Sequence, residues 1–361
     1  MGEVASASVH ACKLESQRLA ITGAAGFIGR ETVAESVREG HRVLTILRPE
    51  SDAGRIADLK RIGANVATCG MDDRASLATA LGGCSTVIHL AVSRAPEDEQ
   101  AITETVGATG CLIEAMRIAG VRRLVIASSF AVYDYEAIPA HSVVTESSPI
   151  VPADGARDWY CRAKLLEEKV ARDAAASGDL EISILRLGAV YGPGRLWTGR
   201  LGAKAGRCWL CIGSDAEVPV LYVGSAAECL LRAATVERLP PSPLNVLDDA
   251  APTQRSLRRE IAMRLHPRPV IIVVPWACAR LLGRTASALA SIMPMVQRRL
   301  PALLRPRQQA ARFKPLRYTN AACRDALGWH SRHSLADALD QSVARQLPGA
   351  TVGVKSTGVG V

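Results

Sequence analysis

The sequence lacks any long uninterrupted apolar run, because none of its stretches reaches the roughly 18 residues that indicate a membrane-spanning helix. The most apolar region, residues 270–279, reads VIIVVPWACA and is followed at once by Arg280, with Arg284 one turn later. A spanning helix is therefore not predicted. A helix that lies on a membrane surface through one apolar face remains compatible with this pattern.

The ten cysteines do not form the dense framework of a short secreted chain, which favours a reducing compartment and a cytoplasmic protein. Cys208 and Cys211 form a lone CxxC without a second pair, so we read them as small buried apolar residues and predict no metal site. The first residues contain no apolar stretch of about 7 to 15 residues that would indicate a secretory signal. We expect residues 1–17 to form a flexible leader and residues 348–361 a disordered tail.

Acidic residues are absent between Glu260 and Asp325, although this segment contains twelve lysines and arginines. The chain carries a net charge of +9, so subtracting this +12 leaves about −3 for all other residues. Such a block can attract anionic lipid headgroups or a phosphate-bearing substrate, and a solvated basic surface is the simpler alternative. No zinc-finger or basic recognition-helix signature accompanies it, so no nucleic-acid partner is predicted.

Short β-branched runs alternate with helical patterns along the first half of the chain. Apolar strands that alternate with helices indicate a parallel sheet covered on both faces. The fold class predicted is α/β, a Rossmann-type doubly wound sheet over residues 18–191, followed by a smaller, mostly helical substrate lobe over residues 192–347 with some interleaving. The predicted strands are residues 19–22, 42–47, 65–69, 86–92, 123–129 and 182–188.

Three glycines spaced three apart end the first strand and open the first helix. In this fold Gly23 permits the tight turn, Gly26 lets the backbone approach a pyrophosphate, and Gly29 lets the helix pack closely on the strand. The helix N-terminus then presents N–H groups and a positive dipole end to the phosphates. The turn therefore predicts a dinucleotide-binding site.

The stretch TGAAGFIG resembles the extended branch of the short-chain dehydrogenase/reductase superfamily, which includes NAD-dependent epimerases/dehydratases and 3β-hydroxysteroid dehydrogenase-like enzymes. The resemblance spans roughly residues 18–345 and is loose beyond Gly194. It implies an NAD(P)-dependent oxidoreductase that acts on CH–OH or C=O groups. The cofactor contacts that it implies are Gly23, Ala25, Gly26, Phe27, Ile28, Gly29, Arg48, Asp72, Leu90, Ala91, Tyr160, Lys164 and Leu187.

The end of the second strand favours NADP(H), with NAD(H) as the alternative. NAD-preferring relatives place an acid there, but this chain has Leu47 followed by Arg48, whose guanidinium can pair with a 2′-phosphate. The family usually has two acids in its adenine pocket. Asp73 aligns with the second and Gly70 with the first, so Asp72 is the candidate that substitutes there.

The resemblance places the reaction at Ser129, Tyr160 and Lys164. Tyr160 and Lys164 are four residues apart, so a helix presents both on one face, and an ammonium beside a phenol lowers the pKa of the phenol. Tyr160 is then the general acid/base and Lys164 also holds the nicotinamide ribose. Ser129 matches the hydroxyl that holds the substrate oxygen, with Ser128 as a secondary candidate.

Departures from the family pattern favour a ketone reductase that acts on a fairly apolar metabolite. Phe130 and Ala131 replace the acid pair that sugar-nucleotide dehydratases need, and residues 218–220 lack the arginine that epimerases carry near a pyrophosphate. The predicted substrate contacts are Val92, Phe130, Tyr191 and Arg195.

Other interpretations remain open. Arg195, Arg200, Lys204 and Arg207 could meet phosphates and keep a sugar-nucleotide epimerase or reductase as the alternative function. A non-catalytic cofactor-binding protein is a minor alternative. The basic segment 261–324 allows peripheral membrane contact, and the family resemblance allows a homodimer.

Overall fold

The computed structural model describes residues 16–93, 95–213, 215–240, 242–291 and 301–345. The predicted tail, and all but the last two residues of the predicted leader, lie outside these ranges. The strands are β1 Arg18–Thr22, β2 Arg42–Leu47, β3 Asn65–Thr68, β4 Thr86–His89, β5 Arg123–Ser129, β6 Val143–Val144, β7 Glu181–Leu187, β8 Ala189–Tyr191, β9 Gly202–Ala205, β10 Cys208–Ile212, β11 Val220–Tyr222, β12 Leu244–Val246, β13 Val270–Val274 and β14 Arg317–Tyr318.

The described α-helices alternate with these strands through the first half of the chain and dominate its last part. They are α1 Phe27–Arg38, α2 Ala53–Ile62, α3 Arg74–Leu81, α4 Asp98–Ala119, α5 Trp159–Ala176, α6 Val223–Thr235, α7 Gln254–Arg264, α8 Trp276–Ser291, α9 Pro306–Phe313, α10 Ala321–Leu327 and α11 Leu335–Ala344.

Seven parallel strands form the main sheet, in the order β12-β7-β5-β4-β1-β2-β3. This order is that of a Rossmann-type doubly wound sheet, and all six predicted strands are present in it. The fourth is shorter than expected, because β4 ends at His89. The seventh strand, β12, was not predicted: it has three residues, which is too short a run for a periodic pattern.

Both faces of the main sheet are buried, which explains why its strands are apolar at successive positions. Within β1, Ala20 packs into the cluster that contains Leu77 and Met116, while Ile21 packs into the opposite cluster with Val33 and Leu230. Helices α3, α4 and α5 cover one face, and α1 and α6 cover the other. The carboxyl ends of β1, β4 and β5 consequently open at one edge, where the candidate site forms.

The second lobe is mostly helical, as expected, and it also contains a mixed three-stranded sheet of order β13-β10-β9. The run VIIVV forms β13, since β-branched residues favour extended backbone. In β10 the side chain of Cys211 is buried but Cys208 is exposed, so only one of these two cysteines matches its expected burial.

The chain after residue 192 also returns to the main sheet. Strand β12 extends it beyond β7, and Cys323 and Trp329 join the core under α6. Among the described residues, no helix combines the length and the hydropathy needed to cross a bilayer.

Candidate active site

The glycine turn after β1 is compact because three backbone segments meet there. Gly23 has φ +67°, and a Cβ on it would lie 2.6 Å from the carbonyl carbon of Leu90, at the end of β4. A Cβ on Gly29 would overlap the carbonyl oxygen of Gly23. Any larger side chain at either position would therefore push α1 away from the sheet edge.

The N-terminus of α1 fits the phosphates of a dinucleotide. Its N-cap is Gly26, which supplies no side-chain hydrogen bond to the first turn. The first-turn amides therefore have no side-chain acceptor at the cap and are available to bind an anion. Leu90 and Ala91 follow β4 directly beside this turn, and the Leu90 amide donates to the carbonyl oxygen of Thr22 at 3.3 Å. The predicted contacts Ala25, Phe27 and Ile28 lie in the turn and in the first turn of α1.

Two further predicted cofactor contacts lie after β2 and β3. The Arg48 side chain is half exposed, with its Nε 3.2 Å from Glu50 Oε1, while the preceding Leu47 is buried. Asp73 is used as the N-cap of α3. The carboxylate of Asp72 lies over Gly70, where a Cβ would collide with it, so Asp72 is the acid of this loop that is left for an adenine contact.

The N-terminus of α5 is fixed against the turn that follows β5. Asp158 caps the helix by accepting from the Cys161 amide at 2.8 Å. Cys161 Sγ and Arg157 Nη1 both donate to the carbonyl oxygen of Ala131, at 3.1 and 2.7 Å. This anchoring brings Tyr160, in the first turn of α5, beside Ser129 at the end of β5.

Ser129 lines the cleft with its hydroxyl beside the Tyr160 phenol. Its Oγ accepts from the Ala131 amide at 3.1 Å, which leaves the hydroxyl proton available. Ser128, the secondary candidate, instead donates its hydroxyl proton to Glu168, in a buried cluster with Arg186. Of the two serines, Ser129 is the one that lines the cleft.

Lys164 lies in a buried network that sequence reasoning missed. Its Nζ donates to the carbonyl oxygen of Ala127 and to Glu167 Oε2, each at 2.7 Å. Glu167 Oε1 accepts from Thr109 Oγ1 at 3.1 Å and lies 3.5 Å from His89 Nε2. Burial alone would lower the pKa of Lys164, but the Glu167 carboxylate raises it above its usual value. The ammonium is thus held in its charged form at a fixed position.

The pKa of Tyr160 differs from the sequence expectation. Burial raises it above its usual value, and this effect outweighs the lowering by the Lys164 ammonium and the Ser129 hydroxyl. Glu167 also raises it, because its negative charge offsets part of the charge on Lys164. Tyr160 is therefore held as a neutral phenol, which is the form that can donate a proton.

A small cleft that is partly open to solvent adjoins these groups. Phe130 and Leu187 line it, whereas the predicted substrate contacts Val92, Tyr191 and Arg195 do not. Tyr191 is buried with its ring centroid 5.8 Å from that of Tyr222, and Arg195 lies on the Phe27 ring at the start of α1. The lining residues are Ser129, Phe130, Ala131, Arg157, Asp158, Tyr160, Leu187, Gly188, Ala189, Thr198, Arg200, Gln308, Ala311 and Arg312.

The other residues that sequence reasoning missed come from distant segments. Arg157 precedes Tyr160 by three positions and could have been found from its place just before α5. Gln308 and Arg312 lie about 150 residues further along the chain, on α9, and no local pattern connects them to the triad. Arg200 was predicted only as a residue that could meet phosphates.

Residues 19–246 match the NAD dependent epimerase/dehydratase family. The chain belongs to this family. The match covers every strand of the main sheet except the first residue of β1, together with the glycine turn and the residues Ser129, Tyr160 and Lys164. The resemblance to extended short-chain dehydrogenases/reductases is thereby confirmed.

Individual relatives include both reductases and epimerases. Cinnamoyl-CoA reductase 1 from Oryza sativa subsp. japonica is 31% identical over 186 residues, which are 50% of this chain and 55% of that protein. A 3-diazoavenalumate denitrifying reductase from Streptomyces sp is 29% identical over 279 residues, 74% of this chain and 87% of that protein. The chain thus spans about half the length of the first of these relatives.

A UDP-glucose-4-epimerase from Stenotrophomonas maltophila, solved with bound NAD and formylated UDP-arabinopyranose, has the same fold. Its TM-score is 0.69 at 20% identity, over 91% of this chain and 98% of that one.

Proposed function

We propose that the protein is an NADP(H)-dependent oxidoreductase that reduces a ketone, or oxidises a secondary alcohol, of a fairly apolar small molecule. The observation that supports this proposal most directly is that Ser129 and Tyr160 line one cleft, with the buried Lys164 ammonium acting on the Tyr160 phenol. Phe130, Leu187 and Ala189 give this cleft an apolar wall. Two of the relatives are named as reductases, which supports a reductase over an epimerase.

The chemistry divides between the cofactor and the side chains. A reduced nicotinamide, when bound, supplies the hydride. Ser129 Oγ donates a hydrogen bond to the substrate oxygen, and Tyr160 Oη gives that oxygen its proton. Lys164 Nζ, fixed by Ala127 and Glu167, holds a ribose hydroxyl and stabilises the charge that remains on the phenol oxygen.

The acid/base role of Tyr160 is tested by Tyr160→Phe. We expect turnover in NADPH-dependent ketone reduction to fall by about 10² to 10⁴-fold, since the substitution removes only the proton donor. NADPH affinity, measured by fluorescence titration, should stay within about twofold because the phosphate site is untouched. Turnover near the wild-type rate would show that another group donates the proton.

The preference for NADP(H) rests on Arg48, which follows a β2 end without an acid. Arg48→Glu should weaken NADPH binding about 10 to 100-fold and leave NADH binding nearly unchanged, because only the 2′-phosphate loses a charge-assisted partner. Arg55→Glu, an exposed position on α2, is the matched charge control. Equal affinities for the two cofactors in the wild type would refute the preference.

A sugar-nucleotide epimerase or reductase is the second candidate, and the arginine at position 200 in the cleft favours it. The other residues that the sequence offered for phosphates are less suited, since Lys204 lies on the Trp197 ring and Arg195 lies on Phe27. Incubation with UDP-glucose and NAD, followed by chromatography of the nucleotide sugars, distinguishes the two. Formation of UDP-galactose would replace the first proposal.

A further inference from the structure

The cleft beside Tyr160 carries an excess of positive charge. Three guanidinium groups line it, those of Arg157, Arg200 and Arg312, while Asp158 is the one carboxylate among its lining residues. Asp158 already has several partners: it caps α5, accepts from Gln308 Nε2 at 3.1 Å and lies 3.5 Å from Arg157 Nε. The lining therefore carries two positive charges more than its own carboxylate can balance.

Arg312 has no polar partner within the described parts of the chain. Its side chain forms neither an ion pair nor a hydrogen bond with those residues, although it is largely removed from water. Its guanidinium lies against Gly199, where a Cβ would be 3.2 Å from Arg312 Cζ. Burial and the charges of Arg157 and Arg200 lower the pKa of Arg312, and the Asp158 carboxylate offsets only part of this effect. An uncompensated guanidinium in such a place is unfavourable unless an anion joins it.

The positions of these arginines are fixed by the fold. Gln254, fully buried, donates from Nε2 to the carbonyl oxygens of both Arg200 and Arg312, at 2.7 and 3.0 Å. The Arg200 guanidinium donates to the hydroxyls of Tyr318 and Tyr135, and no carboxylate in the described ranges forms an ion pair with it. The cluster is thus built in advance and does not depend on flexible surface side chains.

We propose that this cleft is an anion-binding substrate pocket, in which Arg312, Arg200 and Arg157 bind a carboxylate or phosphoryl group of the molecule whose carbonyl meets Ser129 and Tyr160. The substrate then has an apolar body and one anionic end, and its anion and its carbonyl bind in the same cleft. Guanidinium groups bind both oxyanions through paired hydrogen bonds. The contact between the substrate carbonyl and Tyr160 depends on the proposed function, whereas the anion site is inferred from the three arginines only.

Binding is measured first, without turnover. Isothermal titration at low salt compares benzoylformate and phenyl phosphate with the uncharged methyl benzoylformate. We expect each anion to bind at least 10-fold more tightly than the ester. Arg312→Met should weaken anion binding at least 10-fold and change ester binding less than twofold. Arg312→Lys should weaken anion binding less than Arg312→Met does. Arg61→Met, at an exposed position on α2, is the control and should change neither.

The outcomes separate this inference from the proposed function. Equal affinities for anions and ester, or anion binding that Arg312→Met leaves intact, would overturn the anion pocket even if NADPH-dependent ketone reduction is found. Anion binding that requires Arg312 supports it even if the protein reduces no ketone. Tighter binding of benzoylformate identifies a carboxylate as the group recognised, and tighter binding of phenyl phosphate identifies a phosphoryl group.

Discussion

Glu167 provides the sharpest test of the electrostatics around the candidate acid. Its carboxylate is almost completely buried and forms an ion pair with the Lys164 ammonium at 2.7 Å. Replacement by glutamine preserves the shape and one hydrogen-bond acceptor but removes the negative charge. Because that charge raises the pKa of Tyr160, the substitution should lower the pKa of the phenol.

The size of the effect follows from Coulomb's law. For two unit charges about 7 Å apart, at an effective dielectric constant of about 20, Coulomb's law gives about 2 kcal/mol, or roughly 1 to 2 pKa units, which sets the scale of the expected effect. The same substitution leaves Lys164 buried without a counter-charge. Breaking a buried ion pair from one side costs about 3 to 5 kcal/mol in the free energy of unfolding, although the amide oxygen offsets part of it.

Two measurements check the reasoning. The alkaline limb of the pH profile of kcat/KM for NADPH-dependent reduction should move down by about 1 pH unit in Glu167→Gln. Ultraviolet difference titration against the same protein carrying Tyr160→Phe reports the phenol pKa without turnover. Glu168→Gln is the control: it breaks a neighbouring buried ion pair, with Arg186, and should reduce stability without moving the limb.

Either of two results would refute this account. An unchanged limb would mean that Glu167 does not act on Tyr160. A limb that moves to higher pH would mean that Lys164 releases its proton once the carboxylate charge is gone, so that the ammonium, not the phenol, is the group that Glu167 controls.

Three further predictions concern stability and surface contacts. Burial raises the pKa of the Asp248 carboxyl to about 7, so the folded protein holds this proton more tightly than the unfolded chain does. The free energy of unfolding should therefore fall as pH rises from about 4 to 7. Asp248→Asn should abolish this part of the pH dependence of the melting temperature and stabilise the protein at pH 8. A variant whose melting temperature changes with pH in parallel with that of the wild type would contradict this prediction. Gly29→Ala should weaken NADPH binding at least 10-fold, because the added Cβ displaces α1 from the Gly23 carbonyl; unchanged affinity by fluorescence titration would contradict the packing argument. Helix α8 exposes Leu281 and Leu282, so vesicles with anionic lipid should co-sediment the protein at low salt and release it at high salt, whereas indifference to lipid charge would exclude this contact.

Local sequence patterns were sufficient for the main sheet. Each of its six longer strands is apolar at successive positions because both faces are covered, and that signal is visible without any tertiary contact. The same patterns could not reveal β12, whose three residues form a strand through pairing with β7, nor the mixed sheet of the second lobe, where β13 pairs with β10. Strand pairing between distant segments has no local signature.

The candidate site divides in the same way. The glycine turn and the Tyr160–Lys164 spacing are local, since a strand-to-helix turn and one helical turn fix their geometry. The expectation that Lys164 makes Tyr160 acidic was wrong in its net direction, because the burial of the phenol and the charge of Glu167 depend on the packing of β4, α4 and α5.

The sequence by itself therefore determined the layered sheet, the glycine turn and the choice of Ser129, Tyr160 and Lys164 as candidate reactive residues, since each depends on local patterns along the chain. Only the tertiary structure decided what surrounds them: that Glu167 holds Lys164, and that Arg157, Arg200 and Arg312 meet in one cleft. The burial of the Lys164–Glu167 pair and the meeting of the three arginines depend on contacts between elements that are not neighbours along the chain, and no local pattern reveals those contacts.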